Sequence, residues 1–304
     1  MAKKLDLPEE WFFHTHNYAG LPPNLSDIEE SRIVILSAPY ETSTTYRPGC
    51  RLGPAAIIEA SANMELYDEE CAVEPYAIGI ATLSPLEPVD DPEEMVKRIE
   101  SATTVLLEQE KLVVLLGGEH TVSVGTVRAM SRRHRDLSVL FLDAHADFRE
   151  NYHGNRLNHG CVARRISEIC RFTHAGTRSL SKEEAAALKE NGIAPYWAQQ
   201  FRAARSDGGR SRLIERIVEG LSQHVYLSID ADVFDPSIMP AVGTPEPGGL
   251  LWDEVLDLIK AVTKARTVVG LDFVELAPIA GLVHPEFMAA RLLYRIFAHV
   301  KDNR

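Results

Sequence analysis

Two short runs of acidic and imidazole residues have the composition of a site for divalent metal ions. Asp143, His145 and Asp147 occupy alternate positions, and alternation along an extended chain places such side chains on one side. Asp230 and Asp232 have the same spacing further along the chain. Taken alone, the first run is equally typical of a loop with a helix-capping aspartate, and the second of a turn. Their positions relative to the strands therefore decide between these interpretations.

His120 joins these residues if the chain folds as a parallel sheet. Three apolar runs end in reactive groups: the first in Glu119 and His120, the second in Asp143, and the third in Asp230. In open parallel sheets, ligands bind beyond the carboxyl ends of the strands. A histidine satisfied within the core is the alternative for His120 alone. Joint placement after three strands favours metal binding by one group of side chains: His120, Asp143, His145, Asp147, Asp230 and Asp232.

The four carboxylates of this group restrict what can bind there. Four like charges at contact distance repel strongly, so they need cations in order to stay ionised. Two divalent ions balance them, and bridging carboxylates allow such a pair to activate a shared water molecule at neutral pH. Carboxylate oxygens with two imidazole nitrogens suit Mn²⁺ better than a thiolate-rich zinc site does. The residue types thus predict two Mn²⁺ ions per subunit.

Short β-branched apolar runs alternate with amphipathic stretches, which predicts a doubly wound α/β sheet. The predicted strands lie in residues 32–40, 112–118, 137–147, 224–233 and 267–276, with weaker ones in 76–80 and 172–178. The predicted helices lie in residues 54–67, 92–109, 121–135, 181–191, 212–221, 252–265 and 285–299. Since no linker or repeat is visible, we interpret residues 1–304 as one domain, with residues 1–30 as an N-terminal extension.

The composition of the 304 residues restricts the classes of partner. A formal net charge of −12 argues against a nucleic-acid-binding protein, because phosphate neutralisation requires clustered Lys and Arg. A small cationic molecule is the more natural partner. Four scattered cysteines form no Cys-x-x-Cys pair, so neither a disulfide framework nor a thiolate zinc site is indicated. No signal peptide or membrane span can be recognised, and we expect a cytoplasmic protein.

Several long motifs resemble those of the ureohydrolase family, which includes arginases and agmatinases. They are LLGGEHTV, FLDAHADFRENYHGNRLNHG, SIDADVFDPSIMPAVGTPEPGGL and GLDFVELAP, in the order that the family has. The run PYETSTTYRPGCRLGPAAI resembles the family's N-terminal segment, which closes over the active site. The run VGTPEPGGL is more similar to agmatinases than to arginases. The resemblance implies a three-layer α/β/α fold with a parallel sheet of about eight strands.

The resemblance also implies a binuclear manganese site that hydrolyses a guanidinium group to urea and an amine. By motif, His120, Asp143, Asp147 and Asp230 would hold one Mn²⁺, and Asp143, His145, Asp230 and Asp232 would hold the other. Asp143 and Asp230 are therefore the expected bridges. Glu119 stands where many family members have Asp, so this position stays acidic.

Three residues are expected to act on the substrate itself. Asp147 would orient the attacking water while binding metal. Glu275 would hold the planar cation, because a carboxylate accepts two parallel N–H bonds from a guanidinium. His159 resembles the family's histidine that shuttles protons near the leaving group, a task that suits an imidazole at neutral pH. The alternatives are an ion pair of Glu275 with Arg291 or Arg295, and a surface position for His159.

The predicted reaction is that of an agmatinase, which converts agmatine and water to putrescine and urea. An aminopropylagmatine ureohydrolase, a guanidinobutyrase and an arginase remain open, and they differ in the group at the far end of the substrate. Arg149 and Arg156 could receive an anionic tail, whereas Glu150 and the acidic balance favour a cationic one. A catalytically silent, metal-binding regulatory subunit is the alternative from another class. By resemblance we expect a homo-trimer or homo-hexamer.

Overall fold

One parallel sheet organises the chain. The computed structural model describes residues 16–204 and 209–300. Within these ranges there are eight strands: β1 (Ile33–Ala38), β2 (Ile80–Thr82), β3 (Leu112–Gly117), β4 (Leu137–Leu142), β5 (Arg171–Thr177), β6 (Tyr196–Trp197), β7 (His224–Asp230) and β8 (Thr267–Val274). Their order is β2-β1-β3-β8-β7-β4-β5-β6, and every pairing is parallel. Parallel neighbours require crossover connections, and helices supply most of them.

The described ranges also contain ten α-helices. They are α1 (Pro23–Ser26), α2 (Gly53–Ser61), α3 (Pro92–Glu108), α4 (Ser123–Arg133), α5 (Val162–Ser167), α6 (Lys182–Glu190), α7 (Ala198–Ala203), α8 (Gly209–Glu219), α9 (Trp252–Ala265) and α10 (His284–Val300). Local signals start two of them. The Asp91 side chain accepts a hydrogen bond from Glu94 N at the start of α3, and Ser181 with Glu184 forms a capping box at α6.

Alternate residues of the strands face opposite sides of the sheet. Ile33 and Ile35 of β1 lie in an apolar cluster with α2, α7, α8, α9 and α10. Val34 and Leu36 lie in a second cluster with α3, α4, α5 and α6. Burial of strands on both faces is characteristic of parallel sheets that are covered by helices on each side. The fold is a three-layer α/β/α arrangement around eight parallel strands, which confirms the predicted fold class.

The departures from the predicted elements have local causes. The strand predicted for residues 76–80 is wrong, because Pro75–Ile78 forms a 3-10 helix and β2 starts after it. Gly79, with φ of 77°, ends this helix in a conformation that favours glycine. Helix α2 ends at Ser61, before the predicted residue 67. The short elements α1, α5, α7 and β6 were missed, since two to six residues carry too little periodicity.

The carboxyl ends of four central strands form the edge where the reactive residues gather. Strands β3, β8, β7 and β4 are consecutive neighbours in the sheet. His120 follows β3, Glu275 follows β8, Asp230 ends β7, and Asp143 follows β4. Residues that are far apart in sequence are therefore brought together by strand order.

The N-terminal part of the described chain packs on α10. The Tyr18 ring is buried, and its hydroxyl donates a 2.6 Å hydrogen bond to the carbonyl oxygen of Ala290. The first half of the predicted extension, residues 1–15, lies outside the described residues. Among the helices that are described, none combines the length and apolar character needed to cross a bilayer.

Candidate functional site

His120 faces three carboxylates at the carboxyl edge of the sheet. It begins the 3-10 turn that follows β3. Its Nδ1 lies 3.3 Å from Asp143 Oδ2, 3.4 Å from Asp147 Oδ2 and 3.3 Å from Asp230 Oδ2. All four side chains are buried. One nitrogen and three oxygens therefore surround one position that is shielded from bulk water.

A second group of ligand atoms meets the first at Asp143. His145 Nδ1 lies 2.7 Å from Asp232 Oδ2 and 3.9 Å from Asp143 Oδ1. Asp143 thus directs one carboxylate oxygen toward each of the two imidazoles. Both groups, His120 with Asp143 and Asp147 and His145 with Asp143 and Asp232, have their ligand atoms close enough together to hold an ion. A carboxylate shared in this way suits a two-metal site.

The atoms that face the first position fit a metal ion. His120 Nδ1 and Asp143 Oδ2 are fully buried, and neither has a hydrogen-bond partner. On the other side of the ring, His120 Nε2 lies 2.9 Å from Ser228 Oγ, which donates a 2.9 Å hydrogen bond to Asp272 Oδ1. Because the serine proton goes to Asp272, Nε2 carries a hydrogen, and in the neutral ring the lone pair of Nδ1 faces the carboxylates. Metal-binding histidines are oriented in this way.

The electrostatics of the group also favour the binding of a cation. Burial raises the pKa of Asp143 and of Asp230, and the charge of Asp232 raises both further. Burial likewise raises the pKa of Asp147, with a contribution from Asp143. These carboxyl groups favour proton binding when no ion is present, so a divalent cation would displace protons as it binds.

Two residues of the site have strained backbones. Asp147 has φ of 48° and Glu275 has φ of 62°, in the left-handed region that favours glycine. Such conformations cost of the order of 1–3 kcal/mol each and occur preferentially at functional sites. Glu275 is held there by two hydrogen bonds: its N–H donates to Gly118 O at 2.8 Å, and its Oε1 accepts from His120 N at 2.7 Å.

Glu275 lies in the pocket wall as a partly buried carboxylate. Burial raises the pKa of Glu275 to about 8, with the charge of Glu119 acting in the same direction. A bound cation would reverse this shift, because an opposite charge favours the ionised carboxylate. The alternative ion pair is not present, since Arg291 hydrogen-bonds Glu69 and Arg295 pairs with Asp68. Glu275 is therefore placed to receive a planar cation.

His159 also lines the pocket and does not lie on the outer surface. It begins a 3-10 turn, His159–Cys161, in which the Asn158 side chain accepts a hydrogen bond from Gly160 N. Its Nδ1 lies 2.9 Å from Ser43 Oγ. Burial lowers the pKa of His159, which Asp147 and Glu119 partly offset. At neutral pH the ring is therefore predominantly in the form that can accept a proton.

A cavity of about 310 Å³ connects these side chains. Six predicted site residues line it: His145, Asp147, His159, Asp230, Asp232 and Glu275. Sequence reasoning missed other lining residues, among them Tyr152, Ser179, Glu184 and Thr244. Ser179 follows β5, so the rule about strand ends could have identified it. No comparable signal identifies Tyr152, which comes from the long loop after β4.

The charged residues considered for the substrate's far end have partners within the protein. Arg149 lines the cavity, but it pairs with Glu184 at 3.4 Å and lies over the Tyr152 ring at 4.6 Å. Arg156 pairs with Glu150 at 3.0 Å on the exposed surface. Among the described residues that line the cavity, Arg149 is the one Lys or Arg that could receive a carboxylate tail, and it is already paired.

Known proteins are similar to this chain over most of its length. The arginase family model matches residues 31–298. The chain is 37% identical to the N(1)-aminopropylagmatine ureohydrolase of Synechocystis sp., with 92% of each chain covered. It is 34% identical to the agmatinase of Pyrococcus horikoshii, with 89% of this chain and 92% of the relative covered.

The fold is also shared with solved structures of such enzymes. The agmatine ureohydrolase of Thermoplasma volcanium superposes with a TM-score of 0.83 at 33% identity, covering 91% of this chain and 92% of the other. The matches extend over nearly the whole described chain and include the edge where the carboxylates meet. The chain therefore belongs to the arginase family, and it is an agmatinase-like ureohydrolase, a hydrolase of amidine C–N bonds.

Proposed function

We propose that this chain is a Mn²⁺-dependent enzyme that hydrolyses agmatine to putrescine and urea. The observation that supports it most is the position of Asp143, whose two oxygens face separate imidazoles beside the pocket that contains Glu275. A pair of Mn²⁺ ions bound by the six ligands would supply Lewis acidity that activates water. The ligands are His120, Asp143, His145, Asp147, Asp230 and Asp232.

Three residues act on the substrate and the attacking water: Glu275, Asp147 and His159. The Glu275 carboxylate accepts hydrogen bonds from the N–H groups of the guanidinium. It thereby orients the guanidinium carbon toward the proposed metal ligands. Asp147 accepts a hydrogen bond from the attacking water and aligns it. The His159 ring takes up a proton at Nε2 from the attacking water and transfers it to the leaving amine nitrogen, which departs as a neutral amine. Each of these groups is within or beside the same cavity.

The charges along the cavity favour an amine at the substrate's far end. Four aspartates are balanced by two divalent ions, and Glu275 is balanced by the guanidinium. Glu184 and Arg149 neutralise each other. An anionic tail would need a free cation, and Arg149 is engaged by both Glu184 and Tyr152. These contacts argue against arginine and guanidinobutyrate as the preferred substrates.

N(1)-aminopropylagmatine is a second candidate substrate, because several relatives at 34–37% identity carry its name. The two substrates share the guanidinium, the butyl chain and a cationic tail, and they differ in length. A ratio of kcat/KM values for the two molecules separates the candidates. A ratio above one for agmatine supports the proposal, and a ratio below one assigns the longer substrate.

A panel of urea-release assays tests the proposal. We expect the Mn²⁺-loaded protein to release urea from agmatine faster than from arginine or guanidinobutyrate. Glu275→Gln should lower kcat/KM by at least about 30-fold, since loss of one partner from a desolvated charged pair costs roughly 2 kcal/mol or more. Glu150→Gln, in an exposed carboxylate outside the cavity, is the matched control and should change kcat/KM by no more than about twofold.

The same panel distinguishes an enzyme from a silent regulatory subunit. Two bound metal ions without urea release from any of the four guanidines would contradict the proposed activity. The retention of His159 and Glu275 beside the metal ligands supports an active enzyme, because a purely structural metal site has no use for them.

The proposal includes a homo-trimer or homo-hexamer in the cytoplasm. The four cysteines Cys50, Cys71, Cys161 and Cys170 are free thiols, which suits a reducing compartment. Light scattering at micromolar concentration checks the oligomer, and a monomer would contradict that part of the proposal.

A further inference from the structure

Glu119 is a buried acid for which the proposed mechanism has no direct use. Its Oε2 accepts hydrogen bonds from the main-chain N–H of Thr42 at 2.6 Å and of Ser43 at 2.7 Å. Its Oε1 accepts from the hydroxyls of Ser43 at 2.7 Å and Thr121 at 2.6 Å. Main-chain N–H groups can only donate, so the carboxylate acts as the acceptor in this network. Glu119 is therefore fully satisfied without contact to a metal or substrate.

Ser43 connects this acid to His159. The Ser43 Oγ accepts a hydrogen bond from the main-chain N–H of His159 at 3.1 Å, and it lies 2.9 Å from His159 Nδ1. A hydroxyl has one proton to donate. Because Ser43 donates that proton to Glu119, its oxygen can only accept from Nδ1. The hydrogen of the neutral imidazole must then be on Nδ1.

We propose that Glu119 and Ser43 are positioning residues that fix the tautomer of His159. They hold the ring with its hydrogen on Nδ1, so that Nε2 is the nitrogen that takes up and releases protons in the pocket. In a turnover, Nε2 accepts a proton from water and returns it to the leaving nitrogen, and the ring ends in its starting form. This inference rests on the proposed function, in which His159 transfers a proton.

The network also explains why the segment after β1 reaches the pocket. Thr44 and Thr45 line the cavity next to Ser43. Glu119, after β3, holds this segment through both main-chain and side-chain donors. If Glu119 only anchored the loop, its hydrogen bonds from the main-chain N–H groups would be sufficient. The hydroxyl bond from Ser43 is the part that determines the direction of hydrogen bonding toward His159.

The substitution Glu119→Gln tests the inference by reversing that direction. Two N–H donors face the Oε2 position, so the amide oxygen takes it and the NH₂ group faces Ser43. Ser43 then accepts from the amide and donates its proton to His159 Nδ1. The neutral ring must carry its hydrogen on Nε2, the wrong tautomer for accepting a proton from water.

Neutron diffraction from deuterated crystals of the Mn²⁺-loaded full chain, at mildly alkaline pH, locates the ring deuterium directly. We expect it on Nδ1 in the parent and on Nε2 in Glu119→Gln. We also expect kcat for agmatine to fall by about 10²–10⁴-fold, the range of general acid–base catalysis, with KM nearly unchanged. KM is spared because Glu275 still holds the guanidinium.

Variants of Ser43 provide a second test if Glu119→Gln does not fold. Ser43→Ala removes the acceptor of the Nδ1 hydrogen and should lower kcat, whereas Ser43→Thr keeps a hydroxyl and should restore most of it. Thr42→Val is the matched control, because the Thr42 side chain is exposed and donates to the Tyr40 hydroxyl. It keeps its main-chain N–H and should change kcat by no more than about twofold, as surface substitutions do.

Two results would overturn the inference. One is a ring deuterium on Nε2 in the parent. The other is a Glu119→Gln crystal in which the deuterium stays on Nδ1 although kcat has fallen, which would leave only a loop anchor. A tautomer switch in a protein that hydrolyses none of the guanidines would support the inference and would refute the proposed function separately.

Discussion

Asp143 is the residue on which both candidate metal positions depend. Its Oδ2 lies 3.3 Å from the His120 ring and its Oδ1 lies 3.9 Å from the His145 ring. Both groups of ligand atoms include it, whereas His145 belongs to one of them. Replacing Asp143 should therefore affect both metal positions, whereas replacing His145 should affect only one.

We expect Asp143→Ala to lose both metal ions and at least about 100-fold in urea release, since even indirect contacts to a metal ligand are worth 10–100-fold. His145→Ala removes a ligand from one group and should keep the ion beside His120. Metal analysis after gel filtration, with circular dichroism as the check on folding, measures the difference. Two ions retained by Asp143→Ala would contradict the shared position.

Some residues of the site could be predicted from the sequence and others could not. His120 and Asp143 have metal-ligating side chains directly after apolar strands, so residue type and position agree locally. Ser43 is 116 residues from His159 and lies on a loop. Its contact with His159 depends on the path of that loop, which no local pattern indicates. The same holds for the contact of Glu184 with Arg149, although the capping box that Glu184 forms with Ser181 is a local feature of the sequence.

At the scale of the elements, β5 carries a buried histidine close to the candidate metal ligands. The His174 ring packs parallel to Phe141, with centroids 5.4 Å apart, and its Nδ1 lies 2.8 Å from Thr177 Oγ1. Burial lowers the pKa of His174 to about 4. An exposed histidine in the unfolded chain titrates near pH 6.5. Between about pH 4 and pH 6.5, His174 therefore binds a proton in the unfolded state but not in the folded state.

This difference predicts a pH dependence of stability. The contribution of neutral His174 is fully present above about pH 6.5 and is lost as the pH falls toward 4, by up to about 3 kcal/mol. His174→Phe keeps a ring against Phe141 and cannot titrate. Urea unfolding of both proteins should show that the advantage of the parent over the variant shrinks from pH 7 to pH 4. An equal difference at both pH values would contradict the assignment, and carboxylates that titrate in both proteins cancel in the comparison.

The elements themselves were predicted well where they are long. Helix α9 occupies residues 252–265 as predicted, because its apolar face repeats over several turns. Helix α5 and strand β6 are too short to show a period, and they depend on the sheet around them. The order of the strands in the sheet also cannot be read from the individual apolar segments of the sequence. Only the folded sheet places β8 between β3 and β7, and with it Glu275 beside His120.

At the scale of the whole molecule, the sheet places acidic groups together and leaves their charge to be balanced by bound cations. The formal net charge of −12 makes the chain acidic as a whole. The candidate ligands come from the ends of β3, β7 and β4, which lie within four consecutive strands of the sheet. A buried group of four aspartates stays ionised only beside positive charge. The proposed reaction thus requires two metal ions bound within this group.

Anomalous diffraction at the manganese edge, from crystals loaded with Mn²⁺, would locate these two ions. We predict two peaks in each chain, one contacted by His120 and the other by His145, with Asp143 in contact with both. The absence of anomalous signal among these side chains, or ions bound only elsewhere on the chain, would contradict a binuclear site at this edge of the sheet.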